Sequence, residues 1–205
     1  MQENIFYDSR KFMKKLLLLI LFALFLIKPA FAVQENIFMG NKNAPVNLRV
    51  YYSMTCYPCA MFHKNVVLEL EHSSYVGKGQ LSIELRPYSM NKVSFAIEAM
   101  LACIQDKKDH KEALEDLLFS QKSWNKEDKN MLPLIEKIML KYMTRQELDK
   151  CYKNKESAEK LFTKINNYKE KSIVDETPSI FINGQKITDG LTYNNIIRHI
   201  NKELK

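Results

Sequence analysis

The stretch SMTCYPCAMFHK, residues 53–64, sets Cys56 and Cys59 three positions apart with Tyr57 and Pro58 between them. Two thiols one helical turn apart serve as metal ligands, as a structural staple or as a redox pair. A thiol attacks a disulfide only as the thiolate, so a redox pair needs something that favours the anion of its first cysteine. A helix start supplies it through unpaired backbone N–H groups and the positive end of the helix dipole. Pro58 in the first turn sacrifices no intrahelical bond. Cys59, one turn in and more buried, is then placed to resolve a mixed disulfide formed by Cys56. His63 completes a C-x2-C-x3-H pattern that also admits a metal. However, a closed zinc site needs a fourth ligand, and the sequence has no second CxxC or HxxxH to give one. No metal or cofactor is therefore expected.

The elements that position these residues follow from pattern. APVNLRVYYS, residues 44–53, is β-rich, follows a proline and runs directly into the cysteine pair. Phe62, Val66 and Leu70 recur every four residues after it, giving the cysteine helix one apolar stripe. Leu81, Ile83 and Leu85 alternate with polar residues as in a half-buried strand. From about 91 to 172 the periodicity is helical: Ile97/Met100/Leu101/Ile104, Leu114/Leu117/Leu118 and Leu134/Ile135/Ile138/Met139/Tyr142. Thr144 and Glu147 form a capping box. SIFI (179–182), Asn183-Gly184 and QKIT (185–188) predict a hairpin, and Tyr193, Ile196, Ile197, Ile200 and Leu204 mark one face of a closing helix. Cys103 borders Met100 and Ile104, and Cys151 falls on a stripe with Leu148 and Tyr152. Both are expected to face the interior of the helical block, and Trp124 reads as core or rim.

Residues 13–32, MKKLLLLILFALFLIKPAFA, have the layout of a secretory signal: basic Lys14 and Lys15, twelve apolar residues, then Ala30-Phe31-Ala32 as a cleavage site. Residues 1–32 are assigned to it, with Met13 as a more ordinary start than Met1. An uncleaved anchor is the alternative, but twelve residues rise only about 18 Å as a helix. Without residues 1–32 the formal charge falls from +7 to +4, and the basic residues are spread along helical segments. Solvated faces account for that pattern, and nucleic acid is not an expected partner. Export would put all four cysteines in an oxidising compartment, periplasmic or otherwise extracytoplasmic.

Three pieces together carry a specific resemblance: Ala44-Pro45-Val46 before the first strand, Cys56-Tyr57-Pro58-Cys59 with Ala60 and Phe62-His63, and Thr177-Pro178 ahead of SIFING. The sequence resembles the DsbA-like thiol:disulfide oxidoreductases of the thioredoxin superfamily. The resemblance implies an α/β thioredoxin fold, residues 33–90 and 173–205, interrupted by an all-helical domain, 91–172. It implies catalytic Cys56 and Cys59, and a cis Pro178 packed against them that leaves the backbone of Thr177 free to pair with substrate. Substrates would be cysteine-containing exported proteins, with a membrane redox partner restoring the pair. For Cys103 and Cys151, buried free thiols and a structural disulfide are both open readings. The oxidising compartment, and cysteine pairs in comparable helices of related proteins, favour the disulfide.

Departures from the family bear on direction. Strongly oxidising members carry Pro-His between the cysteines, where this chain has Tyr57-Pro58, an order closer to reducing thioredoxins. Val50 stands where relatives place an acid six residues before the first cysteine, so proton transfer to Cys59 must use water or another carboxylate. Glu176 replaces the glycine common before Thr-Pro and is expected to bring a negative charge towards Cys56. His63 is expected near the rim of the site. Oxidation of exported proteins is the leading reading. The alternatives are an isomerase or reductase of the same fold, or a non-enzymatic metal-binding module using Cys56, Cys59 and His63.

Overall fold

A computed structural model of the chain describes residues 13–17, 36–126, 130–171 and 174–205. Residues 13–17 are helical and belong to a unit spanning 1–32, while 33–205 make a second compact unit. The rest of the predicted signal segment, including its cleavage site, lies outside the described residues. No helix among the described residues is long and apolar enough to cross a membrane.

Five strands form one sheet in the order β1-β3-β2-β4-β5. Strands β1 (Ile37–Gly40), β2 (Val46–Tyr52) and β3 (Leu81–Pro87) come first, with β3 parallel to β2 and β1 antiparallel to β3 on the outer edge. Strands β4 (Ser179–Ile182) and β5 (Gln185–Lys186) follow as a hairpin on the other side of β2. A parallel pair cannot be joined by a tight turn, and the crossover from β2 to β3 is the cysteine helix. That helix runs as α1 (Tyr57–Phe62), a π-helical turn at His63–Val67 and α2 (Leu68–Glu71), with the short α3 (Ser74–Gly77) after it. Asn183 and Gly184 both have positive φ, 47° and 86°, which the two-residue turn of a twisted hairpin requires.

Between β3 and β4 the described residues form α4 (Lys92–Leu101), α5 (Lys107–Phe119), α6 (Gln121–Trp124), α7 (Met131–Met139), α8 (Arg145–Tyr152) and α9 (Lys155–Lys171). The chain closes with α10 (Tyr193–Glu203). The expected stripes are the buried ones. Ile97, Met100, Leu101, Ile104, Leu114, Leu117 and Leu118 join Phe62, Val66, Leu70, Ile196 and Ile200 in a core shared with Leu48, Val50, Ile83 and Ile180 of the sheet. Each such side chain contributes about 1.5–3 kcal/mol on burial. The Thr144–Glu147 capping box is formed reciprocally. Trp124 is fully buried and donates its indole N–H to the Leu117 carbonyl at 2.8 Å.

Three expectations need correction. Strand β1 was not predicted, because four residues against one edge carry too short an alternation to register. Strand β3 is buried on both faces rather than half-buried. Its Glu84 can be inside because Arg86 and Arg49 pair with it and Asn36 donates to it at 2.6 Å. Burial opposes the Glu84 charge, but the hydrogen bonds from Arg86 and Asn36 and the two guanidinium charges outweigh it and hold the carboxyl below its ordinary range. Tyr152 is exposed, with its hydroxyl donating to Glu136, so only Leu148 and part of Cys151 face inward on α8.

Cys103 and Cys151 are disulfide-bonded, Cα atoms 6.0 Å apart, tying the residues after α4 to α8. Closing a loop of this length stabilises the fold by about 4 kcal/mol on the chain-entropy estimate. Replacing both with Ala should lower the melting temperature by about 10 °C and leave exchange turnover per folded molecule unchanged. Calorimetry with a turnover assay checks this. Unchanged melting would mean that the link carries no stability.

Candidate active site

Strand β2 ends at Tyr52, and Ser53–Cys56 turn the chain from the sheet into α1. This turn lies beyond the ladder, so its polar groups need partners from elsewhere. The inserted helices provide them. The side chain of Ser94 on α4 accepts from the Met54 N–H and from the Ser53 hydroxyl, both at 2.9 Å. Gln121, at the start of α6 and almost wholly buried, donates to the carbonyls of Met54 at 2.6 Å and Cys56 at 3.1 Å. Asn125 donates to the Thr55 carbonyl at 3.1 Å, and Asn91 to the Thr55 hydroxyl at 2.9 Å. The cysteine turn is thereby fastened from two directions.

Cys56 is the N-cap of α1, with extended backbone, and its sulfur accepts the Cys59 N–H at 3.1 Å. That bond is the physical means by which the helix start favours a thiolate at Cys56. Pro58 lies in the first turn, where no amide is needed. Cys56 is bonded to Cys59, Cα atoms 5.2 Å apart. The two sulfurs differ in access. Cys56 is half-buried, whereas Cys59 is only 3% exposed. Tyr57, at 46% exposure, and Pro58 flank the pair on the surface, and the Lys122 ammonium lies 5.2 Å from the Tyr57 ring centre.

The Thr177–Pro178 bond is cis. The Thr177 carbonyl lies 3.3 Å from the Cys56 sulfur, so this loop is packed against the cysteine pair. Two anchors hold it. Strand β4 begins at Ser179 and pairs with β2, and the Ser179 hydroxyl donates to the Glu176 carbonyl at 2.8 Å. On the other side Tyr88 donates to the Val174 carbonyl at 2.7 Å, within an aromatic cluster of Tyr51, Tyr88, Tyr168 and Phe181.

His63 is not at an exposed rim. It is 4% exposed, with Nε2 3.1 Å from Glu115 on α5 and its ring tilted against Phe119. The helical register turns it inward beside Phe62, where its contacts are with α5. The metal set of Cys56, Cys59 and His63 is not assembled, and no group of three or more metal-binding side chains occurs among the described residues. Glu176 is exposed.

Glu98 was not singled out from the sequence, although a carboxylate on the Ile97/Leu101 stripe was a visible signal. It is 4% exposed, accepts from the Tyr52 hydroxyl at 3.3 Å, and faces a small cavity that it shares with His110 of α5 and Lys164 of α9. Its Oε1 and the Nδ1 of His110 have no hydrogen-bond partner among the described residues. Burial pushes Glu98 up to about 8, against the Tyr52 hydrogen bond and the Lys164 charge. Burial, helped by Lys164, pushes His110 down to about 4. Both groups are neutral at pH 7.

Against known proteins, a model of the family described as thioredoxin matches residues 32–202. The chain belongs to the thioredoxin family. Its fold is the DsbA-like form, in which helices are inserted into the thioredoxin sheet. It superposes on Wolbachia pipientis alpha-DsbA1 with a TM-score of 0.71 at 20% identity, covering 88% of this chain and 94% of that one. BdbD from Bacillus subtilis gives a TM-score of 0.70 at 20% identity, covering 84% and 95%. Among curated proteins, a "Putative protein-disulfide oxidoreductase" of Rickettsia bellii is 25% identical over 179 residues, 87% of this chain and 68% of the relative. A protein of the same description from Rickettsia conorii is 24% identical over 159 residues, 77% of this chain and 57% of the relative. The chain thus spans between about half and two thirds of the length of these relatives.

The Glu98–His110 pair makes a pH prediction. The raised Glu98 value gives stability that is complete below pH 4.5 and is lost as pH rises to about 8. The lowered His110 value gives stability that is present above 6.5 and is lost as pH falls to about 4. The two slopes oppose each other below 6.5, leaving Glu98 alone between 6.5 and 8, where the protein should lose roughly 2 kcal/mol. Urea titrations across that window should show the slope in the native chain and a flatter profile in Glu98→Gln. Equal slopes would show that Glu98 is ionised in the fold.

Proposed function

We propose that this chain is an exported protein thiol:disulfide oxidoreductase that passes the Cys56–Cys59 disulfide to cysteines of other exported proteins. The observation that carries the reading is the asymmetry of the pair: an accessible Cys56 sulfur at a helix N-cap, 3.3 Å from the Thr177 carbonyl, bonded to a buried Cys59. The names of the curated relatives support the same chemistry. The reading takes residues 33–90 and 173–205 as the thioredoxin-like domain, 91–172 as the inserted domain and 1–32 as the export signal.

The exchange runs in two displacements. A substrate thiolate attacks Cys56 Sγ, the Cys56–Cys59 bond breaks, and Cys59 leaves as a thiolate that takes up a proton. A second substrate thiolate then attacks the substrate sulfur of the mixed disulfide and expels Cys56 as a thiolate held by the Cys59 N–H. The substrate loses two electrons, and the pair gains them. The backbone of Thr177 would align the substrate segment by strand-like pairing. A membrane redox partner would restore the disulfide. In the reverse direction Cys56 attacks and Cys59 resolves, so Cys59→Ala should trap mixed disulfides with substrate proteins and Cys56→Ala should trap few. Equal trapping by the two variants would overturn the assignment of roles.

A second reading, isomerase or reductase, rests on Tyr57-Pro58 between the cysteines. Equilibration of the pair with glutathione decides between them. A potential near that of thioredoxin, about −270 mV, would sink the oxidase reading. The exposed carboxylate of Glu176 and the residues Tyr57 and Pro58 are the proposed tuning groups. Glu176→Gln should shift the same equilibrium towards a stronger oxidant at low salt, because a nearby anion disfavours the Cys56 thiolate. An unchanged equilibrium would remove Glu176 from the site.

A further inference from the structure

A groove with a cavity volume of about 420 Å³ lies between the turn after β3 and helix α9, lined on one side by Met90, Asn91 and Phe95 and on the other by Phe162 and Ile165. Its apolar content is unusual for a surface. Met90 is 53% and Phe162 57% exposed, and Phe162 packs edge-on against Phe95 across the two helices. Water-exposed aromatic and thioether side chains gathered in a concavity mark a docking surface. Among the described residues the charged side chains in the lining are Lys92 and Lys169, both exposed, with no carboxylate beside them. Neither ammonium has an ion pair among the described residues, although Lys169 lies over the Tyr88 ring.

Two hydrogen bonds tie residues in or beneath the groove to segments next to the cysteine site. Asn91 in its lining donates to the Thr55 hydroxyl, one residue before Cys56. Tyr88, beneath Lys169, holds the Val174 carbonyl, three residues before Thr177. A polypeptide whose cysteine meets Cys56 therefore has this concavity within reach of its flanking residues.

We propose that the groove receives an extended segment of the substrate protein, adjoining its reactive cysteine, that carries an apolar side chain beside one or more carboxylates. The apolar side chain is buried against Phe95, Phe162 and Met90, and the carboxylates meet Lys92 and Lys169. The proposal rests on the oxidoreductase reading and adds to it a substrate preference. The two lysines are exposed, so charge acts chiefly on encounter and selection while the aromatic pair supplies residence.

Two synthetic decapeptides with one cysteine each test it, one flanked by Leu-Glu-Glu and the other by Ser-Lys-Lys, each reacted with the oxidised full chain beside glutathione as a small thiol. The acidic apolar peptide should form the mixed disulfide about tenfold faster than the basic one at low salt. Phe162→Ser, at a solvent-facing position, should reduce that advantage, and Lys92→Glu with Lys169→Glu should reverse the charge preference, with glutathione rates the same in all. Equal rates for the two peptides in the native chain, or a preference that survives both sets of substitutions, would overturn the groove while leaving the oxidoreductase reading intact. The absence of any reaction with glutathione would overturn that reading and the groove with it. A dimer that Phe162→Ser dissociates without changing peptide rates would assign the groove to a second copy of the chain and overturn the proposal.

Discussion

The hydrogen bond from the Cys59 N–H to the Cys56 sulfur fixes what the rest of the molecule must do. It exists only if Cys56 is the cap of a helix, which requires the chain to leave β2 and enter α1 within four residues. Such a turn has more polar backbone than local structure can pair. The groups left over are the Met54 N–H and the Met54 and Thr55 carbonyls, and each finds a side chain from α4, α6 or the residue after α6. The inserted helices thus complete the cysteine turn. A buried carbonyl left without its donor costs about 1–3 kcal/mol, which is enough to loosen a cap whose own worth is similar.

The same constraint explains which parts were legible in the sequence. The helix start at Cys56, the strand before it, the apolar stripes of 97–104 and 114–118, the Thr144 box and the Asn183-Gly184 turn are local patterns, and local patterns survive into the fold. Gln121, Asn125, Asn91 and Ser94 act on residues 36 to 70 positions away, and nothing in their own neighbourhood says so. Ser94 and Glu98 interrupt an otherwise apolar helix face and were detectable as misfits, though their partners were not. His63 failed in the opposite way. Its spacing from the cysteines suggested a shared site, but a histidine seven residues along a helix from Cys56 is nearly two turns away, on a face that the helix register buries.

Burial of polar groups divides this molecule into two kinds of interior. Around Glu84 the charges are kept: Arg49 and Arg86 face the carboxylate, and Asn36 adds a neutral donor, so the ion remains an ion. Around Glu98 the single ammonium of Lys164 does not offset desolvation, and the carboxyl remains protonated near neutral pH. The difference is the number and geometry of donors, with two guanidinium groups in the first case and a long phenol contact in the second. Glu98 sits on α4, the helix that also carries Ser94, so the protonation of Glu98 and the support of the cysteine turn share one structural element.

Support from inserted helices also constrains how substrate approaches. The surface of α4 that holds Thr55 through Asn91 is continuous with Met90 and Phe95, so the elements that fix the cysteine turn also shape the surface beside it. The cis loop approaches Cys56 from the sheet side and is held by Tyr88 and Ser179. The half-buried Cys56 sulfur therefore lies with the backbone of Thr177 on one flank and side chains of the inserted helices on the other. The proposed backbone pairing at Thr177 would be indifferent to sequence. On the proposed mode of binding, selectivity among protein substrates would come from the helical flank, where side chains differ in charge and apolar character.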